Sequence, residues 1–553
     1  IIHFFSKKFN QNHFIVFWFL LNFFQIATTE LTSDEAYYWF YSQELDWGYY
    51  DHPPLISLLI NFGKLFFESE IAVRFGNVLL LSIALYFLFK IRPWTRKEKH
   101  FLYLIILGFP LLNYITFIAF PDSSLVALSM AFLYYYKQFL ERSSKKNMFI
   151  LSIIIALMFY AKYHAILFIG FVIISNLKLL TNKYFYTALA LVIVFYLPHI
   201  LWQIDHNFAS LKFHLVGRSN PFQTRFFGEF ISQQIPIIGL GLIWIPFIFK
   251  TKNQFEKTLK FIAIGSFLFF LFSSLKGFVH IHWTSIAIFP IIILSAKYYS
   301  SLKKKTLFYS LVLPFVFLLL IIRLYLSFQI FPSNKLGTDY YHDRNLWAED
   351  ITKISQGKPV LFDAGNESLR EAPMYSFYAK KLGIAMFPGE FKKSQYQIWQ
   401  YEDSIQNKDI MLIKRHSFNT SIDLKTRMGK TIHYKLIDNF TSFNNIKIDF
   451  NPKDISLKKD VLSGFITLKN HRNKTINISS SKIYISIIGK EKRDDNLRNL
   501  EENSILINPN QSKKIEFKVT SKNIKGDYKI AFGFINKNMN WSINSTRKNI
   551  NFD

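Results

Sequence analysis

Hydrophobic residues occupy the chain up to Leu326 in long blocks separated by short polar connections. The apolar runs lie near 14–29, 71–89, 101–118, 123–140, 148–161, 164–177, 185–203, 233–249, 261–275, 283–296 and 307–326. A helix that crosses the hydrocarbon layer takes about 20 apolar residues, so the pattern predicts about eleven transmembrane helices, several of them short. From Asn334 onward the chain is polar, rich in Lys and Asn, and holds no run long enough to cross. The expected organisation is an α-helical polytopic membrane domain over 1–330 followed by a portion outside the bilayer.

Within that second portion, 335–435 mixes strand-like pieces such as Val360-Leu361-Phe362 and Ile410-Met411-Leu412-Ile413 with a helical stretch near Leu369 to Lys381, the pattern of a small α/β domain. From 440 to 553, alternating segments such as Phe465-Ile466-Thr467-Leu468 and Tyr528-Lys529-Ile530-Ala531-Phe532 are separated by Asn, Lys and Gly turns. That spacing predicts a β-sandwich of immunoglobulin-like type, with a binding or spacer role.

Loop charge gives these runs a direction. If Lys7 and Lys8 lie on the cytoplasmic side, every second connection is basic: Lys90, Arg92, Arg96, Lys97 and Lys99; Arg142, Lys145 and Lys146; Lys178 and Lys183; Lys250, Lys252, Lys257 and Lys260; Lys303, Lys304 and Lys305. An odd number of spans then places the C-terminal portion on the periplasmic side of a bacterial-type inner membrane. Much of the excess Lys and Arg behind the formal charge of +28 lies in these short connections, and nucleic acid is not an expected partner. With no cysteine, disulfides and thiolate chemistry are excluded. The chain begins with Ile1, so its true start is expected further upstream. Its first apolar run lacks a small-residue cleavage site and reads as an anchor.

The opposite connections are poor in Lys and Arg but hold the unusual polar clusters: Thr28 to Pro54, Phe120 to Ser124, Ala161 to His164, Asp205 to Gln234 and Leu275 to Trp283. Five such clusters opening on one face suggest a site. Asp34-Glu35 stands just beyond the first span, where an ionised pair is costly unless it is paired or functional; capping of the next helix by Asp34 is the structural alternative. Asp51-His52-Pro53-Pro54 follows, and the proline pair fixes the backbone ahead of a surface helix over Leu55 to Phe67. Asp122 stands between helix capping and orienting the acceptor or a cation. Lys162 stands between snorkelling and phosphate binding, and Arg218 between a loop charge and phosphate binding. His280-Ile281-His282, with Asp51, has a spacing seen in metal sites, so a divalent metal is an open alternative to a hydrogen-bonding His282. No Walker loop or Rossmann fingerprint occurs, which leaves ATP-driven or nucleotide-sugar chemistry without support.

Asp34-Glu35 at the start of the first external loop, followed by Asp51-His52-Pro53-Pro54-Leu55, resembles the signature of the glycosyltransferase family 39 group within the GT-C superfamily. That group is related to protein O-mannosyltransferases and lipid A aminoarabinose transferases. The resemblance extends over roughly 25–330 and includes Phe120-Pro121-Asp122-Ser123, Ala161-Lys162-Tyr163, Phe213-His214 with Arg218, and Lys276 with His282-Trp283. It implies a GT-C fold and an inverting hexosyl or pentosyl transfer. The donor would be a sugar on a polyprenyl phosphate, and the acceptor an envelope glycan, lipid or protein. Asp34 would be the base, with Glu35, Asp51, His52, Asp122, Lys162, Tyr163, Arg218, Lys276 and His282 around the substrates. The aminoarabinose transferases carry Lys where His52 stands, so the donor sugar and the phosphate contact are expected to differ. A flippase for lipid-linked glycans, an oligosaccharide ligase and a structural assembly protein are the competing classes. The first predicts paired internal repeats, which this sequence does not display.

Overall fold

The computed structural model describes residues 10–215, 223–330, 342–363, 365–386, 394–418, 420–472, 474–479, 482–489, 498–499, 504–521, 524–535 and 542–552. The chain divides into two compact units, 1–342 and 343–553.

The first unit is helical. Helix α1 (Gln11–Thr28) is followed at a 93° bend by α2 (Ser33–Tyr41), then α3 (Leu55–Lys64) and α4 (Glu70–Lys90). Next come α5 (Arg96–Leu107), α6 (Pro110–Phe117), α7 (Pro121–Glu141), α8 (Lys145–Ala161), α9 (Ala165–Ser175), α10 (Lys183–Asp205) and α11 (Ala209–Leu215). The unit ends with α12 (Thr224–Ile238), α13 (Ile245–Ile248), α14 (Gln254–Ser274), a 3₁₀ segment Ile281–Ala287 running into α15 (Ile288–Ser301), and α16 (Thr306–Phe328).

Eleven separate spans do not emerge from length and composition. Among the described residues four segments qualify, namely α4, α10, Ile281–Ser301 and α16, and six when each of two bent pairs is counted as one span. Local chemistry bends or shortens several of the other runs, while α7 and α14 are unbroken helices of 21 residues. Pro110 cannot donate to the helix before it, so the 101–118 run splits into α5 and α6 at a 64° bend. Asn113 reaches back to the carbonyls of Ile106, Leu107 and Phe109 at 3.0–3.2 Å and satisfies groups the break would leave bare. α8 and α9, at 17 and 11 residues, are short for a straight crossing.

The core of this unit is aliphatic and aromatic, with Trp18, Leu88, Phe101, Phe109, Leu133 and Ile292 fully buried. α3 seats on α4 through two glycines. A Cβ on Gly63 would lie 1.9 Å from the carbonyl oxygen of Ala72, and one on Gly76 would lie 2.7 Å from that of Leu59. The first loop, which lies between α2 and α3, is thereby fixed at one end of α4.

The second unit opens on a five-stranded sheet with β1 (Val360–Asp363) between β2 (Gly383–Ala385) and β3 (Ile410–Lys414), all parallel. β5 (Thr431–Ile437) and β4 (Ile422–Lys425) extend it antiparallel. Helix Ser368–Ala379 supplies the crossover from β1 to β2. Beyond Phe443 the described elements are strands apart from a 3₁₀ turn at Pro452–Asp454. One sheet runs through Ile446–Phe450, Val461–Asn470 and Ser512–Thr520, another through Ile483–Gly489, Gly526–Phe534 and Lys548–Phe552. Ile448, Leu468 and Phe517 of the first share a core with Ile485 and Phe532 of the second, which is a sandwich. Inward residues alternate with outward polar ones, so Val461–Asn470 is buried at every second position along most of its length.

Candidate active site

The elbow between α1 and α2 is held by a buried ion pair. Glu35 and Arg74, both 0% exposed, meet through Nε–Oε1 at 2.6 Å and Nη2–Oε2 at 2.7 Å. Two further guanidinium hydrogens go to the carbonyls of Thr29 at 2.5 Å and Glu30 at 2.8 Å. Glu35 also accepts from the amides of Ala119 at 2.9 Å and Thr32 at 2.8 Å. The protein itself thus takes up the carboxylate that was expected to meet substrate. The structure gives Glu35 the work of fixing the elbow to α4 and to the turn before α7. Arg74 was absent from the sequence-based site. A lone Arg inside the 71–89 apolar run was the signal, because a charge at that depth demands a partner.

Glu35 also takes part in the cap of α2. The cap of α2 is Thr32, whose hydroxyl accepts from the Glu35 amide at 3.3 Å in a reciprocal capping box. Asp34 sits inside the first turn and does not serve as the cap. One turn later, the Tyr38 ring meets the His52 ring edge-on at 5.3 Å and the Phe120 ring at 6.4 Å. Asp34, Asp51 and Asp122 all act electrostatically on the Tyr38 hydroxyl.

On one side of Tyr38 lies the first loop. Asp51 accepts from the Tyr41 hydroxyl at 2.5 Å and approaches His52 Nδ1 at 3.0 Å, while its backbone carbonyl faces His214 Nε2 at 2.8 Å. Burial works to raise the Asp51 carboxyl, but His52, the Tyr41 hydrogen bond and His214 overcome it and hold the group below the ordinary carboxylate range. The loop is tied to α10 as well: His199 Nδ1 lies 2.6 Å from the carbonyl of Trp47, and Trp202 Nε1 donates to Asp46 at 2.7 Å. Gly48 packs flat on Trp202, and a Cβ there would approach the indole to 2.5 Å. The Tyr163 hydroxyl joins His199, Ser210 and Gln203 at 3.0, 2.7 and 2.9 Å. Its ring meets that of His214 at 5.4 Å.

On the other side lies Asp122. It occupies the first turn of α7, whose N-cap Phe120 has no side-chain cap bond, so its carboxylate is not spent on capping. Instead it accepts from Lys162 Nζ at 2.6 Å and Ser285 Oγ at 3.2 Å, with His282 Nε2 at 3.6 Å. Lys162 is 6% exposed and lies 6.0 Å over the Trp283 ring. It therefore turns inward and does not snorkel. The His282 ring stacks on Phe120 at 5.5 Å, which connects this cluster back to Tyr38.

The five polar clusters, far apart in sequence, thus interlock through Tyr38–Phe120, Asp122–Lys162, His214–Asp51 and Phe120–His282. Lys276 is exposed in the connection after α14 and forms no ion pair with a described residue. Arg218 lies outside the described residues. No three His, Cys, Asp or Glu side chains among the described residues converge as a metal site, so the His280-Ile281-His282 spacing does not gather a third ligand there.

The model for the family described as dolichyl-phosphate-mannose-protein mannosyltransferase matches residues 51–202, which carry Asp51, His52, Asp122, Lys162 and Tyr163. The solved structure of ArnT from Cupriavidus metallidurans in the apo state superposes with TM-score 0.55 at 12% identity, covering 76% of this chain and 97% of that one. The family model thus covers the stretch from the first loop into α10, and the likeness to ArnT is one of fold. The same ArnT bound to undecaprenyl phosphate superposes with TM-score 0.53 at 13% identity over the same shares. No curated protein matches the sequence. The fold likeness spans most of the chain, whereas the family model rests on residues 51–202.

Proposed function

We propose that this transferase moves one sugar from a polyprenyl-phosphate carrier to a hydroxyl of an envelope glycan, lipid or protein, on the non-cytoplasmic face of the membrane, with Asp34 as the base. The observation that carries the reading is the placement of Asp34 on the first turn of α2. The cap there is supplied by Thr32 and Glu35, and Tyr38 leads on to both polar clusters. The solved relative binds undecaprenyl phosphate, which supports a polyprenyl-phosphate donor here.

In this reading the acceptor oxygen attacks the anomeric carbon as Asp34 takes its proton. The bond from that carbon to the phosphate oxygen breaks, and the lipid phosphate leaves on the opposite face with the bonding electron pair. One displacement inverts the configuration, so no covalent glycosyl-enzyme forms. Charge on the leaving phosphate calls for cations. His52, Lys276 and Arg218 are assigned to it. Lys162, already held by Asp122, orders the floor of the site and contributes its field from there. Tyr163 and Asp51 position the first loop through His199 and His214.

Asp34→Asn keeps the size of the side chain and leaves the Thr32–Glu35 cap untouched, yet it cannot accept a proton. Transfer of labelled sugar from polyprenyl-phosphate donor by equally stable purified proteins should fall ~10²–10⁴-fold with donor binding retained. Turnover near that of the wild type would remove Asp34 from the reaction.

A further inference from the structure

At the far end of α4 from Arg74, a cavity of about 520 Å³ opens between the ends of α1, α4 and α7 and the connection that follows α4. Four cations line it, Lys90, Arg92, Lys99 and Lys137, against one carboxylate, Glu141. That carboxylate is 63% exposed and pairs with Lys137 at 2.9 Å. Arg92 is held in place by Glu98 at 3.2 Å and by the Trp94 ring, 4.8 Å beneath the guanidinium. Its Nη1 is buried and has no hydrogen-bond partner among the described residues. A buried guanidinium nitrogen without a partner is an unmet donor that an anionic oxygen would satisfy.

We propose that this cavity binds the phosphate of an anionic phospholipid headgroup. Lys90 is the last residue of a membrane-spanning helix, which puts the cations where headgroups lie, and basic pockets between helix ends are suited to such lipids. Trp94 and Tyr134, both in the lining, are side chains favoured at that depth. The volume fits a headgroup better than a bare ion. The site is separate from the one proposed for the donor, because the stretch of α4 from Arg74 to Lys90 is about 24 Å long at the helical rise.

The test uses full-length protein in detergent with added dioleoylphosphatidylglycerol, dioleoylphosphatidylcholine or inorganic phosphate, and counts retained lipid by native mass spectrometry. The wild type should hold one phosphatidylglycerol in preference to phosphatidylcholine. Lys90→Gln with Lys99→Gln should weaken that retention about 10–30-fold, from two lost cations. Glu141→Gln should strengthen it, an effect that misfolding cannot imitate. Lys145→Gln with Lys146→Gln, in a basic connection outside the cavity, should leave it unchanged. Saturable binding of inorganic phosphate that the Lys90 and Lys99 changes abolish, without retained phosphatidylglycerol, would overturn the lipid assignment in favour of the free anion. Equal retention of the two lipids by the wild type would overturn the proposal. So would equal loss in the Lys145 and Lys146 variant.

Discussion

Lys162 shows how one distance changes the meaning of a residue. A lysine between two apolar runs can carry its charge outward to water, but here Nζ lies 2.6 Å from Asp122 and both side chains are nearly closed to solvent. Removing one member of such a pair leaves an uncompensated buried charge, which costs about 3–5 kcal/mol. Lys162→Met should therefore lower the unfolding temperature and the folded yield, and Asp122→Asn added to it should restore much of both. A thermal melt of the purified single and double variants checks this, and equal melting of Lys162→Met and wild type would refute the pairing. Asp363 makes the corresponding point in the second unit. Burial raises its carboxyl from 3.8 to about 6, and Lys414 at 3.3 Å only partly opposes that. Between those two values the folded state keeps a proton that the unfolded chain gives up, so stability falls as pH rises toward 6, by on the order of 1–3 kcal/mol. Amide protection of Val360–Asp363, corrected for intrinsic exchange, should be greater at pH 5 than at pH 7 in the wild type. In Asp363→Asn it should become flat.

At the scale of elements, the decisive feature is the 93° elbow between α1 and α2. It is held by Arg74 on α4, which bonds to Glu35 and to the carbonyls of Thr29 and Glu30. Glu35→Gln should cost about 3–5 kcal/mol by leaving the buried guanidinium unpaired. It should also disturb the site, because the first turn of α2 carries Asp34. Arg74→Met combined with Glu35→Gln should recover folding better than either change alone. Limited proteolysis at the 28–33 connection would report the elbow directly, and an unaltered cleavage rate in Glu35→Gln would count against this role. Glu35 could be picked out from the sequence because it neighbours Asp34, but its function depends on a residue 39 positions later. No local pattern connects the two.

At the scale of the molecule, the alternation of basic and polar connections predicts that the segment after Leu326 is non-cytoplasmic. A reporter that works only in the cytoplasm, fused near Asn334, should stay silent, and activity there would put the proposed site on the other side. The hydropathy pattern alone was enough to show a helical membrane unit, because the bilayer demands long apolar segments with their backbone bonds satisfied internally. Strand alternation in Val461–Asn470 and Gly526–Phe534 was equally legible, since a half-buried strand must repeat every two residues. The motif residues Asp34, Asp51, His52, Asp122, Lys162 and His282 were recognisable by type and order. The number of spans was less readable, because hydropathy does not register a bend such as the one Pro110 imposes between α5 and α6. Nor could sequence decide which polar residue answers which. Thr32 in place of Asp34 as the cap, Arg74 as the partner of Glu35, Lys162 turned toward Asp122, and His199 and His214 holding the first loop are all matters of side chains from distant helices meeting at low dielectric. There a charge is stable only against a particular neighbour, and that neighbour is fixed by packing in three dimensions.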